Sequence, residues 1–155
     1  MKNTKTLKCY LASGWFTPKQ ISTYNLLCDA LVVYSTDIDV FYPKNQTQIM
    51  SGAINDEQLR TNVFTRNINE LHKADFIICS TEDKDMGSVF EAGYAHAIKK
   101  PIIYACFSVL PNGFNLMLSE SAVCVATSIQ ELHNVLNSRV HTGYFNYAAY
   151  MGVVE

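Results

Sequence analysis

Long apolar runs are missing from this 155-residue sequence: no stretch approaches the ~20 residues a membrane-spanning helix needs. Met1 to Lys8 is polar and has no apolar core behind it, so no signal peptide is read there and a cytoplasmic protein is expected. Charge is scarce too, at 17 %, and the net value of −2 leaves neither a basic nucleic-acid face nor an acidic tail. Cysteine is present five times, an odd number without C-x-x-C spacing, which argues against a disulfide framework and against structural zinc. Cys9, Cys79, Cys106 and Cys124 sit in or beside apolar runs, where a free thiol acts as a small hydrophobe. G-x-G-x-x-G and Walker loops are absent, so dinucleotide and ATP readings lack a phosphate cradle. There is no G-x-S-x-G elbow for a serine hydrolase. His72, His96, His133 and His141 are scattered, and no metal set or cofactor is expected. Repeats, linkers and low-complexity segments are also missing. With 48 % hydrophobic residues, disorder is excluded as the main state, and the length implies a single domain over 1–155.

What is present is an alternation. Cys9–Ala12, Asp39–Tyr42, Phe76–Cys79, Ile102–Ala105 and Val123–Ala126 are short, continuous apolar runs. Continuous runs fit strands buried on both faces, hence a parallel sheet. Helices fit between them. Thr17-Pro18 opens one that runs to about Leu31, with Thr as cap and Pro in the first turn. Asn55 or Asp56 opens another carrying Leu59, Val63, Ile68 and Leu71. A third starts near Gly87 or Ser88 and stops at Lys99-Lys100-Pro101, and Ser128 opens the last. The pattern predicts a doubly wound, flavodoxin-like α/β fold: a five-stranded, mainly parallel sheet with helices on both faces. Tyr144, Phe145, Tyr147 and Tyr150 make the C-terminal tail too aromatic for a frayed end, so it is expected to pack.

Ligands of such sheets bind beyond the carboxyl ends of the strands. Three segments land there: Ser13–Phe16, Ser80–Gly87 and Pro111–Asn115. The second carries Glu82, Asp83 and Asp85 and leads into a helix with Glu91, beside Phe90, Tyr94 and Ala95 as its other inward positions. A loop acid and a helix acid converging on one cleft supply what glycosyl transfer needs, a nucleophile and a group for the leaving-group proton. The alternative is that Asp85 is a solvated cap and Glu91 serves helix amides. In the first segment, Gly14 lets backbone approach a ligand and Trp15-Phe16 suit a base, or else the aromatics fill the seam between sheet and helix. Tyr10 either projects its hydroxyl toward a carboxylate or only packs. Asn115 reads as a ligand residue or a turn residue.

At these residues the chain resembles the nucleoside 2-deoxyribosyltransferases, over nearly its whole length. Tyr10–Thr17 with Gln20 is similar to the family's opening strand and loop. Asp75–Ile78 followed by Asp85–Ala95 resembles its Asp, Gly, Glu-x-Gly-x-Ala signature. Phe114-Asn115-Leu116-Met117 is similar to a segment that one subunit lends to its neighbour, and Tyr150–Glu155 to the family's short tail over the pocket.

The resemblance implies that Glu91 is a nucleophile at C1′ of a 2′-deoxynucleoside, tuned by Tyr10, with Asp85 attending the leaving base. A second base then takes the sugar from the covalent ester with net retention. It implies Phe16 and Gln46 at the base, Gly14, Gly87 and Ser88 around the substrate, and Asn115 with Met117 from another subunit at the sugar's 5′ end. Free nucleosides and nucleobases are the implied partners, and the implied assembly is a homo-oligomer, dimer or hexamer. Asn67 stands where many relatives carry an acid; an amide still donates and accepts but cannot ionise. Two other readings stay open. One is an N-glycosidase of deoxynucleosides or their 5′-monophosphates, for which Ser88 is the one phosphate candidate. The other is a non-catalytic nucleoside-binding module.

Overall fold

A computed structural model describes residues 5–46, 56–108, 113–146 and 150–154. Its five strands are β1 (Leu7–Ala12), β2 (Ile38–Phe41), β3 (Phe76–Cys79), β4 (Ile102–Ala105) and β5 (Cys124–Ala126). All neighbours are parallel, in the order β2-β1-β3-β4-β5. This is the flavodoxin-like doubly wound order, with its switch point between β1 and β3. The continuous apolar runs are explained by burial on both sides. Cys9, Leu11, Phe76, Ile78, Ile103 and Ala105 face one layer, and Tyr10, Ala12, Ile77, Cys79, Ile102 and Tyr104 face the other.

The first layer is α1 (Pro18–Val32) and α6 (Ile129–Thr142), which contribute Leu27, Leu31, Leu132 and Leu136 to the core. The opposite layer holds α3 (Glu57–Lys73) and α4 (Met86–Ala97), through Leu71, Ala92 and Ala95. Each such fully buried Leu or Ile contributes roughly 1.5–3 kcal/mol of transfer free energy, so these contacts, not helix propensity, hold the layers.

Helix starts follow cap chemistry. Thr17 accepts from the Gln20 amide while Gln20 reaches back to the Thr17 amide, a full capping box. Asp56 caps α3 and Ser128 caps α6, both as expected. α4 starts earlier than the Gly87 or Ser88 expected from sequence, because Asp85 is its cap. Two short helices escaped the pattern: α2 (Pro43–Gln46) and α5 (Leu116–Ser121). Pro43 thus begins a helix as well as ending a strand, and Asn115 caps α5 by accepting from the Leu118 amide. β2 and β1 begin before their predicted starts, since Leu7 pairs with Ile38 and Lys8 with Asp39.

The aromatic tail packs, as expected. Phe145 meets Phe76 edge-on at 5.4 Å, and Tyr150 meets Phe114 at 5.7 Å. Tyr144 is the exception, 79 % exposed, and Tyr147 lies outside the described residues. No helix among the described residues is long and apolar enough to cross a membrane.

Candidate active site

Tyr10 stands on β1 at the switch point, fully buried, its ring stacked on Phe41 at 5.4 Å. Its hydroxyl donates to Glu91 Oε1 at 2.6 Å, across 81 positions of sequence. Glu91 sits in the second turn of α4, where burial pushes its carboxyl up to about 7. The Tyr10 hydrogen bond opposes that rise, and the charge of Asp85 adds to it. Tyr10 is raised in turn, by burial and by the carboxylate it donates to, so it stays a donor; Arg66 moderates this from α3. A carboxylate poised near neutrality, held at one oxygen by a strong donor, keeps the other oxygen for chemistry.

Asp85 is the α4 cap, and one of its oxygens does the capping: Oδ2 accepts from the Ser88 amide at 2.8 Å and the Ser88 hydroxyl at 2.7 Å. The capping alternative is therefore correct for Asp85, without removing it from Glu91, whose carboxyl feels its charge. Ser88 is buried and commits its hydroxyl to Asp85, which weakens it as a phosphate donor group.

Glu91 opens onto a cavity of about 280 Å³ between α3 and α4. Asn67 and Gly87 line it, and the Asn67 Oδ1 is buried without a hydrogen-bond partner. Its other walls are Arg60, Val63, Phe64, Ile68 and Phe90. Sequence reasoning missed Phe64 and Arg60 and placed Phe90 inward. Phe90 is 53 % exposed, because the small residues Ala92 and Ala95 take the sheet-facing side of α4 and leave Phe90 to flank the cavity with Phe64. The signal was available: 60, 63, 64, 67 and 68 form one helical face with an amide and a guanidinium among its apolar members.

Gly14 and Phe16 lie on the loop after β1, and neither lines that cavity. The Phe16 ring is 72 % exposed, so it does not fill the seam between sheet and helix. Gly14 has a local reason: a Cβ there would stand 2.7 Å from the Gln20 side chain, which holds the Phe16 and Thr17 amides at 2.9 and 3.2 Å. Gln46 ends α2, and its side chain lies outside the described residues.

Asn115 and Met117 are not brought to Glu91. They line a second cavity, about 430 Å³, with Met86, Val89, Phe114 and Leu118. Met86 and Val89 are on a different face of α4 from Gly87, Phe90 and Glu91. A roomier cavity of about 540 Å³ lies at the β5 edge under the tail. Its carboxylate, Glu131, is engaged with the Thr127 amide and hydroxyl, and no nucleophile–partner pair faces it among the described residues. Among the described residues, no group of three or more His, Cys, Asp or Glu side chains is placed to hold a metal ion.

The family model for nucleoside 2-deoxyribosyltransferases matches residues 9–128. Among solved structures, the chain is similar to the 2-deoxyribosyltransferase of the psychrotolerant bacterium Bacillus psychrosaccharolyticus. The TM-score is 0.69 and the identity 23 %, over 82 % of this chain and 90 % of that one. It is also similar to a conserved protein from Enterococcus faecalis V583, with TM-score 0.68 and 17 % identity over 87 % and 99 % of the two chains. At these identities the two likenesses show a shared fold. No curated protein matches the chain by sequence.

Proposed function

The chain belongs to the nucleoside 2-deoxyribosyltransferase family, and from that premise we propose that it exchanges the base of 2′-deoxyribonucleosides through a sugar ester on Glu91. The observation that carries this reading is the 2.6 Å bond from Tyr10 to a half-buried Glu91 at the wall of a cavity. The bond orients one carboxylate oxygen and leaves the other to attack C1′. As the Glu91–C1′ bond forms, the C1′–N bond breaks and the base departs with the electron pair. Asp85 attends the proton that the departing base takes up, through the oxygen not used for the cap. An incoming base attacks the ester from the face the first one left, so two inversions retain the configuration. Asn67 lines this cavity and meets the base as a neutral amide that cannot ionise. Gly87 lines the same cavity without a side chain.

Asn115 and Met117 reach the sugar of a neighbouring protomer rather than their own, because within one chain they line a separate cavity. A homo-oligomer is thereby part of the working enzyme.

The test is chromatography of purified protein with thymidine plus adenine, beside thymidine alone. Deoxyadenosine with released thymine supports transfer. Equal release of thymine and free deoxyribose in both tubes would replace the reading with hydrolysis. Binding of purine and pyrimidine deoxynucleosides and their monophosphates without turnover of any would replace it with a binding module.

A further inference from the structure

The loop between β3 and α4 contains an acid with no part in the proposed exchange chemistry. The Glu82 side chain is only 7 % exposed, yet it is ionically paired, its Oε1 lying 2.7 Å from Lys19 Nζ on α1. Its other oxygen accepts from the Ser108 hydroxyl at 2.7 Å and the Thr23 hydroxyl at 3.3 Å. Its backbone carbonyl accepts from Gln20 Nε2 at 3.2 Å. Through its Oε1, the same Gln20 amide holds Phe16 and Thr17, so one side chain joins the loop after β1 to the loop after β3. Ser108 adds the segment after β4. Three connections that leave the sheet at its carboxyl end meet at one residue.

The backbone just beyond Glu82 needs such restraint. Asp83 and Lys84 both have φ of 53°, consecutive left-handed residues that are not glycine. Such backbone persists where its surroundings over-determine it. The next residue is Asp85, the α4 cap beside Glu91. The ion pair itself adds little stability, since Lys19 is 56 % exposed and its charge is screened by solvent while burying Glu82 costs desolvation. Glu82 instead supplies three directed acceptor contacts that no apolar residue can.

We propose that Glu82 is a positioning residue: it ties the Phe16 loop, the Asp85 loop and the segment after β4 into one rim, and so sets where Asp85 meets the departing base. The proposal rests on the transferase reading for its catalytic consequence. The rim itself is tested without it.

The experiment pairs hydrogen exchange with product analysis on full-length Glu82→Ala, Glu82→Gln and Ser108→Ala proteins. In Glu82→Ala the loop loses its side-chain anchors and the main-chain carbonyl that Gln20 grips moves with it, so amides of 14–17 and of 80–85 lose protection together while those of β3 and the interior of α4 keep theirs. With thymidine and adenine, kcat falls by about 10- to 100-fold, the scale of an ångström-sized misplacement. The share of sugar lost to water rises, a partition that a uniform loss of folded enzyme would leave unchanged. Glu82→Gln, which keeps an acceptor for Ser108, restores most of both. Ser108→Ala gives the same changes in smaller measure and decides the matter if Glu82→Ala does not fold. Exchange that rises at 82–84 alone, or a partition equal to wild type in every variant, overturns the proposal. If the wild type transfers no base, the transferase reading fails, and the coupled amide protection still decides whether the rim exists.

Discussion

Helix α4 separates two cavities of unlike character. On the α3 side the walls include a carboxyl raised to about 7, an amide with an unpartnered buried oxygen, and a guanidinium, with two half-exposed phenylalanines beside them. On the α5 side the walls are Met86, Val89, Gly113, Phe114, Met117 and Leu118, with Thr81, Lys84 and Asn115 as polar members and Asn115 committed as a helix cap, and no paired carboxyl stands among them. The first is built on the sheet: Tyr10 is strand, Glu91 is helix, and both are placed by core packing. The second is built on a connection, kept in place by the tail through the Phe114 amide to the Val153 carbonyl at 2.8 Å. The groups proposed to react need fixed positions, and they sit on the side built from strand and helix. The exposed side, with Met86 and Met117 each 76 % exposed beside Lys84, suits the contact with another protomer proposed above.

The sharpest way to break this division is to remove Glu91. Glu91→Ala keeps the fold, since the side chain faces a cavity, and base exchange falls by at least about a thousandfold, as for a lost nucleophile. Circular dichroism with an exchange assay checks both halves; activity near wild type would move the chemistry elsewhere.

The assignment of the second cavity to a neighbour is tested by complementation. Asn115→Ser keeps the α5 cap and removes the amide, and exchange is expected to drop about 10- to 100-fold. Mixed after reversible dissociation, Glu91→Ala and Asn115→Ser proteins regain activity, because some sites then draw both wild-type groups from different protomers. No recovery beyond the sum of the separate proteins would return Asn115 to its own chain.

Tyr10→Phe tests the rigid side more gently. The hydroxyl lowers the Glu91 carboxyl against burial, so its loss raises that carboxyl further above 7. At neutral pH less Glu91 is ionised, and kcat falls by about tenfold. The acidic limb of the pH profile moves to higher pH, and part of the loss recovers in alkali. An unmoved limb would mean that Tyr10 only packs.

Stability carries the same signature. Below about pH 4.5 Glu91 is protonated folded or unfolded and contributes nothing to pH dependence. Between there and pH 7 the folded state binds more protons than the unfolded one, so stability falls as pH rises. Above pH 7 the cost is complete, on the order of 3 kcal/mol. Glu91→Gln, never charged, is therefore more stable than wild type in urea at pH 8, and the gain vanishes toward pH 4.

On the other side of α4 the smallest effect is expected from Gly113→Ala. Gly113 has φ of 94°, and a Cβ would lie 2.2 Å from the Val153 carbonyl oxygen. The tail yields rather than the core, so global stability falls by only about 1 kcal/mol. Proteolysis of the tail accelerates while the circular dichroism of the sheet and its helices is unchanged.

Much of the rigid side was legible. β3, β4 and β5 were uninterrupted apolar runs, β1 and β2 were apolar apart from Lys8 and Asp39, and Thr17, Asp56 and Ser128 announced their helices through cap chemistry. Glu91 and Asp85 stood out as acids beside glycine at the end of a strand. Other features carried no such signal. Asn115 looked like a turn residue because a six-residue helix shows little periodicity. Phe90 looked buried because a helix that packs by its alanines inverts the usual hydrophobic pattern. Glu82 was one of three acids in its segment and nothing set it apart, since its partners come from α1 and from beyond β4.

By itself, the sequence determined the parallel sheet, the order of its layers' elements and the acids at its carboxyl end, because period, run length and capping are local properties of the chain. The resemblance already implied that Tyr10 tunes Glu91, and the structure supplies the 2.6 Å bond; tertiary structure alone decided that Gln20 and Glu82 bind two loops together. It also decided that Asn115 lies across α4 from the carboxylate of its own chain. These are contacts across dozens of residues, and their geometry and burial come from how the layers pack.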